Sequence, residues 1–187
     1  SYSGSISLRR AVEKSSNVAT YRLYEELGTR TCMKYLEALN FKGLDKKDYK
    51  YNTTCLGGFT NGTTVVEMAA GYATIANDGE YRTPDCIIKI TDAKGNDIVP
   101  EDTSTKSVYS SSASRMMTSV LQSCVTEYEG TAHVCQLDVD MPAACKTGTT
   151  NNYVDGWLCG YTPYYTTAVW VGMDVYKSCL LYTSDAA

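Results

Sequence analysis

Residues 142–150 read Pro142-Ala143-Ala144-Cys145-Lys146-Thr147-Gly148-Thr149-Thr150, and an apolar, aromatic run over residues 157–171 follows them. Lys146, Thr147 and Gly148 place a cation, a hydroxyl and a position without a side chain in a row. A strand needs those features to hold an anionic substrate along its backbone. Three strands are expected, over residues 143–149, 156–160 and 166–171, with turns at Asn151-Asn152 and Tyr161-Thr162-Pro163. Turns this short join antiparallel neighbours, so the strands form a meander.

Upstream of this meander the pattern is helical. Ser7 is a plausible N-cap for a helix through Leu8, Ala11 and Val12. Ser15-Ser16-Asn17 interrupts it, because these side chains compete for backbone hydrogen bonds. A second apolar pattern at Val18, Tyr21, Leu23, Tyr24 and Leu27 stops at Gly28, and a third helix starts at Thr29 or Arg30 with Met33, Leu36 and Leu39 on one face. After a charged loop over residues 42–50 and a glycine-rich connector over residues 56–62, Thr63 is expected to cap a helix. That helix carries Val66, Met68, Ala69, Ala70, Tyr72, Ala73 and Ile75 on a broad apolar face, its many small residues predict burial, and Asn77-Asp78-Gly79 ends it. Residues 86–90 look like a strand that a turn at residues 92–96 folds back towards Ile98 and Val99. Ser110 to Ser112 cap a further helix with Met116, Met117, Val120 and Leu121, and a loop over residues 128–140 carries Gly130-Thr131 and His133. Helices gathered before strands predict an α+β fold, an antiparallel sheet flanked by helices.

Composition sets the limits on function. A chain of 187 residues, 43% hydrophobic and 20% charged, is one globular domain or a large piece of one. A net charge of -4 leaves no basic stripe to neutralise phosphates, which argues against a nucleic-acid partner. No apolar run approaches the roughly 20 residues of a spanning helix. The cysteines show no Cys-x-x-Cys and His133 is the only histidine, so no metal site or cofactor is expected; most of the thiols read as small buried apolar groups. The chain starts at Ser1, not Met, and opens directly on a helix signal, so a preceding segment is expected. Residues 179–187 have no periodicity and match a translated sequencing-library adapter. Residues 1–178 are therefore taken as the natural segment, and 179–187 as a non-native tail.

A Lys-Thr-Gly tripeptide alone is a weak signal, but Ser15-x-Asn17 stands upstream at a helix–helix turn, and this pair belongs to acyl-serine enzymes. Around it, Gly4-x-Ile6-x-Leu8-Arg9-x-Ala11 and Ser15-Ser16-Asn17-Val18-Ala19 resemble the transpeptidase domain of bifunctional, class A penicillin-binding proteins. Thr64-x-x-Glu67-Met68-Ala69-x-x-Tyr72-Ala73-x-x-Ala76-Asn77-x-Gly79 resembles the same domain, as do Lys146-Thr147-Gly148-Thr149-Thr150, Gly160-Tyr161-Thr162-Pro163 and Val169-Trp170-Val171-Gly172. The resemblance spans nearly all of residues 2–174. Cys145 departs from it, standing where the family usually has glycine.

The resemblance implies a D,D-transpeptidase that cross-links peptidoglycan stem peptides through an acyl-serine and is acylated by β-lactams. It assigns Lys146 to the substrate carboxylate and to proton movement, Ser15 to proton relay and Asn17 to holding substrate or the catalytic lysine. Thr147 would bind the carboxylate, Gly148 would let substrate lie along the strand, and the Thr149 N–H would form half an oxyanion hole. The family's Ser-x-x-Lys nucleophile should lie upstream, yet no serine stands three residues before any lysine. Thr103-x-x-Lys106 comes nearest, but lies between the other motifs and opens no helix. The chain therefore reads as the C-terminal part of the domain, inactive alone. Its parent is expected at the extracytoplasmic face of a bacterial membrane, with an anchor and a glycosyltransferase domain upstream. A β-lactamase-type hydrolase and a non-catalytic penicillin-sensing domain of the same fold are the alternatives.

Overall fold

The computed structural model describes residues 4–99, 102–150 and 153–173. Within them, α1 (Leu8–Glu13), α2 (Asn17–Leu27) and α3 (Thr29–Ala38) come first, then α4 (Val65–Ala76) and α5 (Ser111–Thr126). The strands are β1 (Glu80–Tyr81), β2 (Ile90–Thr91), β3 (Asp97–Val99), β4 (Lys106–Ser107), β5 (Ala144–Thr149), β6 (Gly156–Tyr161) and β7 (Thr166–Val171). The architecture is α+β. The expected meander is an antiparallel sheet in the order β5-β6-β7, with Lys146 opposite Cys159 and Gly148 opposite Trp157. The turn expected at Asn151-Asn152 lies outside the described residues.

The break between the first two helices has a defined construction. Ser7 caps α1 by accepting from the Arg10 N–H at 3.2 Å. The helix ends in a Schellman motif: the Ser16 N–H donates to Ala11 O at 2.8 Å and the Ser15 N–H to Val12 O at 3.0 Å. This puts Ser15 in the left-handed region, at φ 50°. Ser16 then caps α2, accepting from the Ala19 N–H at 3.4 Å. The three polar residues thus end one helix and begin the next, and Gly28, at φ 82°, ends α2.

α4 is capped by Thr64, one residue later than Thr63. Thr64 and Glu67 form a reciprocal capping box, in which the Thr64 N–H donates to Glu67 at 2.8 Å and the Glu67 N–H donates back at 3.2 Å. The Thr63 hydroxyl donates to the same carboxylate at 3.1 Å, so both threonines serve one cap. α4 buries Ala70, Gly71 and Thr74 and packs on β6 and β7, while α5 packs on β5. Val65 and Val66 at the start of α4 stay exposed. Leu121 of α5 meets Ala144 and Tyr161 with Val12, Tyr72 and Ile75 around them; a second core joins Cys124, Val125, Ala132, Ala143 and Cys145. Met116 and Met117 of α5 point into solvent.

Other expectations were displaced by tertiary packing. Residues 86–89 form no strand: only β2 pairs with β3, and Ile87 and Ile88 are exposed because nothing among the described residues covers this hairpin. The ladder between β1 and β4 has no sequence signal; it sits where Tyr81 is buried against Leu39 and Ala70. His133 lies in a short 3-10 turn (His133–Cys135), with Nδ1 3.0 Å from Val125 O. Of the seven described cysteines, all free, Cys124, Cys145 and Cys159 are buried, Cys32, Cys55 and Cys135 partly so, and Cys86 is exposed. No helix of the described residues is long and apolar enough to cross a membrane.

Candidate active site

Lys146 enters the site from β5, and its ammonium finds three acceptors that are distant from one another in sequence. It donates to Ser15 Oγ at 2.9 Å, to Thr147 O at 2.8 Å and to Thr131 Oγ1 at 3.5 Å. All three acceptors are neutral, so the positive charge remains available to an anion. Burial pulls the lysine below its ordinary titration range, opposed by the neighbouring Cys124 side chain. Burial also pushes the Cys124 thiol up, so it is uncharged near neutrality and the opposing influence vanishes. A lysine shifted downwards, on a hydroxyl at hydrogen-bond distance, can exchange a proton with it.

Ser15 owes its place to the Schellman turn: a left-handed residue at a helix end projects its side chain beside the next helix N-terminus. Holding a residue with a Cβ in that region costs about 1 kcal/mol, and such strain clusters at working sites. Asn17, the first residue of α2, is exposed beside it. Thr131 was not singled out from the sequence. Its N–H donates to Glu13 O at 3.1 Å, and Glu129, two residues earlier, pairs with Arg10 and with Lys14 at 3.4 Å. Gly130 supplies the bare backbone this docking needs, since a Cβ there would collide with Cys124 O. The loop is thereby fastened to the helix that delivers Ser15. A Gly-Thr pair shortly before the Lys146 strand is the only sequence signal it leaves.

Thr147 is partly buried and Gly148 and Thr149 are exposed, on a strand at one end of the sheet order. A Cβ at Gly148 would meet only Trp157 Cβ, at 3.5 Å, an ordinary contact. Packing inside the chain does not demand a glycine there. Beyond it, Thr150 and Asp155 exchange hydrogen bonds: the hydroxyl donates to Oδ1 at 2.6 Å and the Asp155 N–H donates back to Oγ1 at 3.1 Å. Trp170 Nε1 donates to Asp155 Oδ2 at 3.0 Å, so β7 braces Asp155 and, through it, Thr150.

A family model described as the penicillin binding protein transpeptidase domain matches residues 1–185. The chain belongs to this family. Penicillin-binding protein 1A of Clostridium novyi is 35% identical across the whole chain, which covers 21% of that protein. Penicillin-binding protein 4 of Bacillus subtilis is 33% identical over 91% of the chain and 27% of its own length. The chain thus spans about a fifth to a quarter of these curated relatives. Among solved structures, the penicillin-binding protein PonA1 from Mycobacterium tuberculosis superposes with a TM-score of 0.84 at 26% identity, covering 100% of this chain and 53% of that one. The PonA1 protein in complex with penicillin V superposes with a TM-score of 0.78 at 26% identity, over 92% of this chain and 49% of that one.

Within this transpeptidase segment Cys145 lies behind the strand. It faces Gly160 across β5 and β6, and its Sγ fills the space a Cβ at Gly160 would need. Burial pushes its thiol up to about 11, which leaves it protonated and unreactive. Their position near the final turns of the sequence puts Tyr153, Tyr161, Tyr164 and Tyr165 at the site rim; Tyr153, Tyr164 and Tyr165 are exposed, but Tyr161 is buried. It is paired with Ala144 on the helix-covered face, and its hydroxyl lies 2.8 Å from Thr118 Oγ1. Lys106 belongs to the separate β1–β4 ladder and donates to Ala38 O at 3.3 Å, so Thr103-x-x-Lys106 is no part of this site.

Proposed function

We propose that this chain is the C-terminal part of a peptidoglycan D,D-transpeptidase, carrying the proton-relay and substrate-binding side of an acyl-serine site. The hydrogen bond of 2.9 Å between Lys146 and Ser15, residues 131 positions apart, carries this reading. In it Lys146 and Ser15 pass a proton to the departing D-Ala amine, and Asn17 holds substrate or the catalytic lysine. Thr147 binds the terminal carboxylate. Gly148, bare without an internal steric reason, lets the stem peptide lie along β5, and the Thr149 N–H stabilises the oxyanion. The nucleophile of the Ser-x-x-Lys motif comes from the parent protein, which we place at the extracytoplasmic membrane face with an anchor and a glycosyltransferase domain. No Ser-x-x-Lys occurs in the chain. The parent therefore takes a labelled penicillin at one stable adduct per molecule, and the 187-residue chain takes none. Stable stoichiometric labelling of the chain alone overturns the division of the site, and rapid turnover of penicillin by the parent favours a hydrolase.

A further inference from the structure

We propose that Thr131 is a positioning residue for Lys146, an inference that rests on the transpeptidase reading of the site. An ammonium has three N–H donors, and a lysine on a strand reaches its target through four rotatable bonds. Two donors, to Ser15 Oγ and Thr147 O, leave the third free to choose its direction. Thr131 Oγ1 at 3.5 Å accepts it and completes the set. The contact is long, so its effect is geometric more than energetic.

Thr131 is held independently of the lysine. Its N–H bonds Glu13 O at 3.1 Å, Glu129 is paired to Arg10 and Lys14, and Gly130 lies against Cys124 O. The same helix, α1, places Ser15 two residues after Glu13. Loop and relay serine therefore share one anchor, and the ammonium is held at a fixed position between two hydroxyls. Thr131 touches no reacting atom; it acts through Lys146. The titratable group that acts on the ammonium is Cys124 of α5; Cys159 is its register partner on β6, and Glu13 of α1 is engaged by Arg10 at 3.1 Å.

The test uses the full-length parent and a fluorescent penicillin, with the second-order acylation rate measured across pH. Thr131→Val keeps the shape and deletes the acceptor. It is expected to slow acylation roughly three- to tenfold. It also removes a group that favours the charged lysine, so the alkaline limb moves to lower pH. Thr131→Ser restores both the rate and the limb. A Thr131→Val enzyme with unchanged rate and limb, or a Thr131→Ser enzyme as impaired as the valine variant, overturns the inference. A wild-type parent that takes no label overturns the transpeptidase reading itself, and this inference with it.

Discussion

Two polar knots in this chain are built in opposite ways. Asp48 is 1% exposed, and its carboxylate is satisfied by donors from within a short stretch: the Asp45 N–H at 2.9 Å, and the Thr60 N–H and hydroxyl at 2.8 and 2.6 Å. Thr54 closes the loop by donating to Asp48 O at 2.8 Å. Burial pushes the Asp48 carboxyl up, but the hydrogen bonds from Asp45 and Thr60 outweigh it and hold the group below its ordinary range. Lys146 takes its partners from residues 15, 131 and 147, none of them charged, and burial, opposed only by Cys124, lowers its titration. A locally sourced, charge-stabilising knot ties a loop. A knot that reaches 131 residues back for one partner and leaves its charge unmatched has the form the proposed substrate-binding role requires.

Lys146→Met breaks the comparison most strongly. In the parent, penicillin acylation is expected to fall by about 10²- to 10⁴-fold, with a thermal midpoint close to wild type, because the ammonium has only neutral acceptors to lose. A variant that fails to fold would make Lys146 a structural group like Asp48.

Asp48→Ala sharpens the other side. It leaves the N–H groups of Asp45 and Thr60 without their acceptor in a buried loop, and is expected to destabilise by about 2–3 kcal/mol, read from denaturant midpoints. Because the folded carboxyl titrates below its unfolded value, its contribution is full above the unfolded pKa of about 3.9 and is lost as pH falls below that. The gap between wild type and Asp48→Ala should therefore narrow on acidification below pH about 4. A gap that stays constant to pH 2 would mean the carboxylate charge contributes nothing.

The two knots also differ in how far the sequence discloses them. Lys146 and Ser15 were legible because each sits in a motif whose chemistry is local: a cation beside a bare strand position, and polar residues at a helix break. The strands were legible because their turns are short, and the helix ends because Gly28 and Asn77-Asp78-Gly79 permit the backbone to turn. Thr131 was not legible, since a hydroxyl in a loop has no period and its meaning depends on where α1 lies. Tyr161 was misplaced at the rim because which face a strand-end residue takes depends on register, and only the pairing with Ala144 sends it into the core. The cap of α4 missed by one residue because adjacent threonines offer the same hydroxyl, and Glu67 decides between them.

The smallest expected effect is the most discriminating. Ser15 occupies the left-handed position of a Schellman motif, where glycine fits without strain. If the serine is there for structure, Ser15→Gly should be neutral for acylation; if it is there for the relay, the fold is carrying strain on behalf of chemistry. Ser15→Gly is expected to raise stability by up to about 1 kcal/mol, by releasing the Cβ contact in the left-handed region, while acylation of the parent falls at least about 100-fold. Ser15→Ala removes the hydroxyl but keeps the Cβ, so it should lose the same activity with no gain in stability. The difference between the two variants in thermal midpoint isolates the backbone strain, and their agreement in rate isolates the hydroxyl. Should both variants destabilise the chain alike, the Lys146 contact is holding the turn together, and the site is as structural as the Asp48 loop.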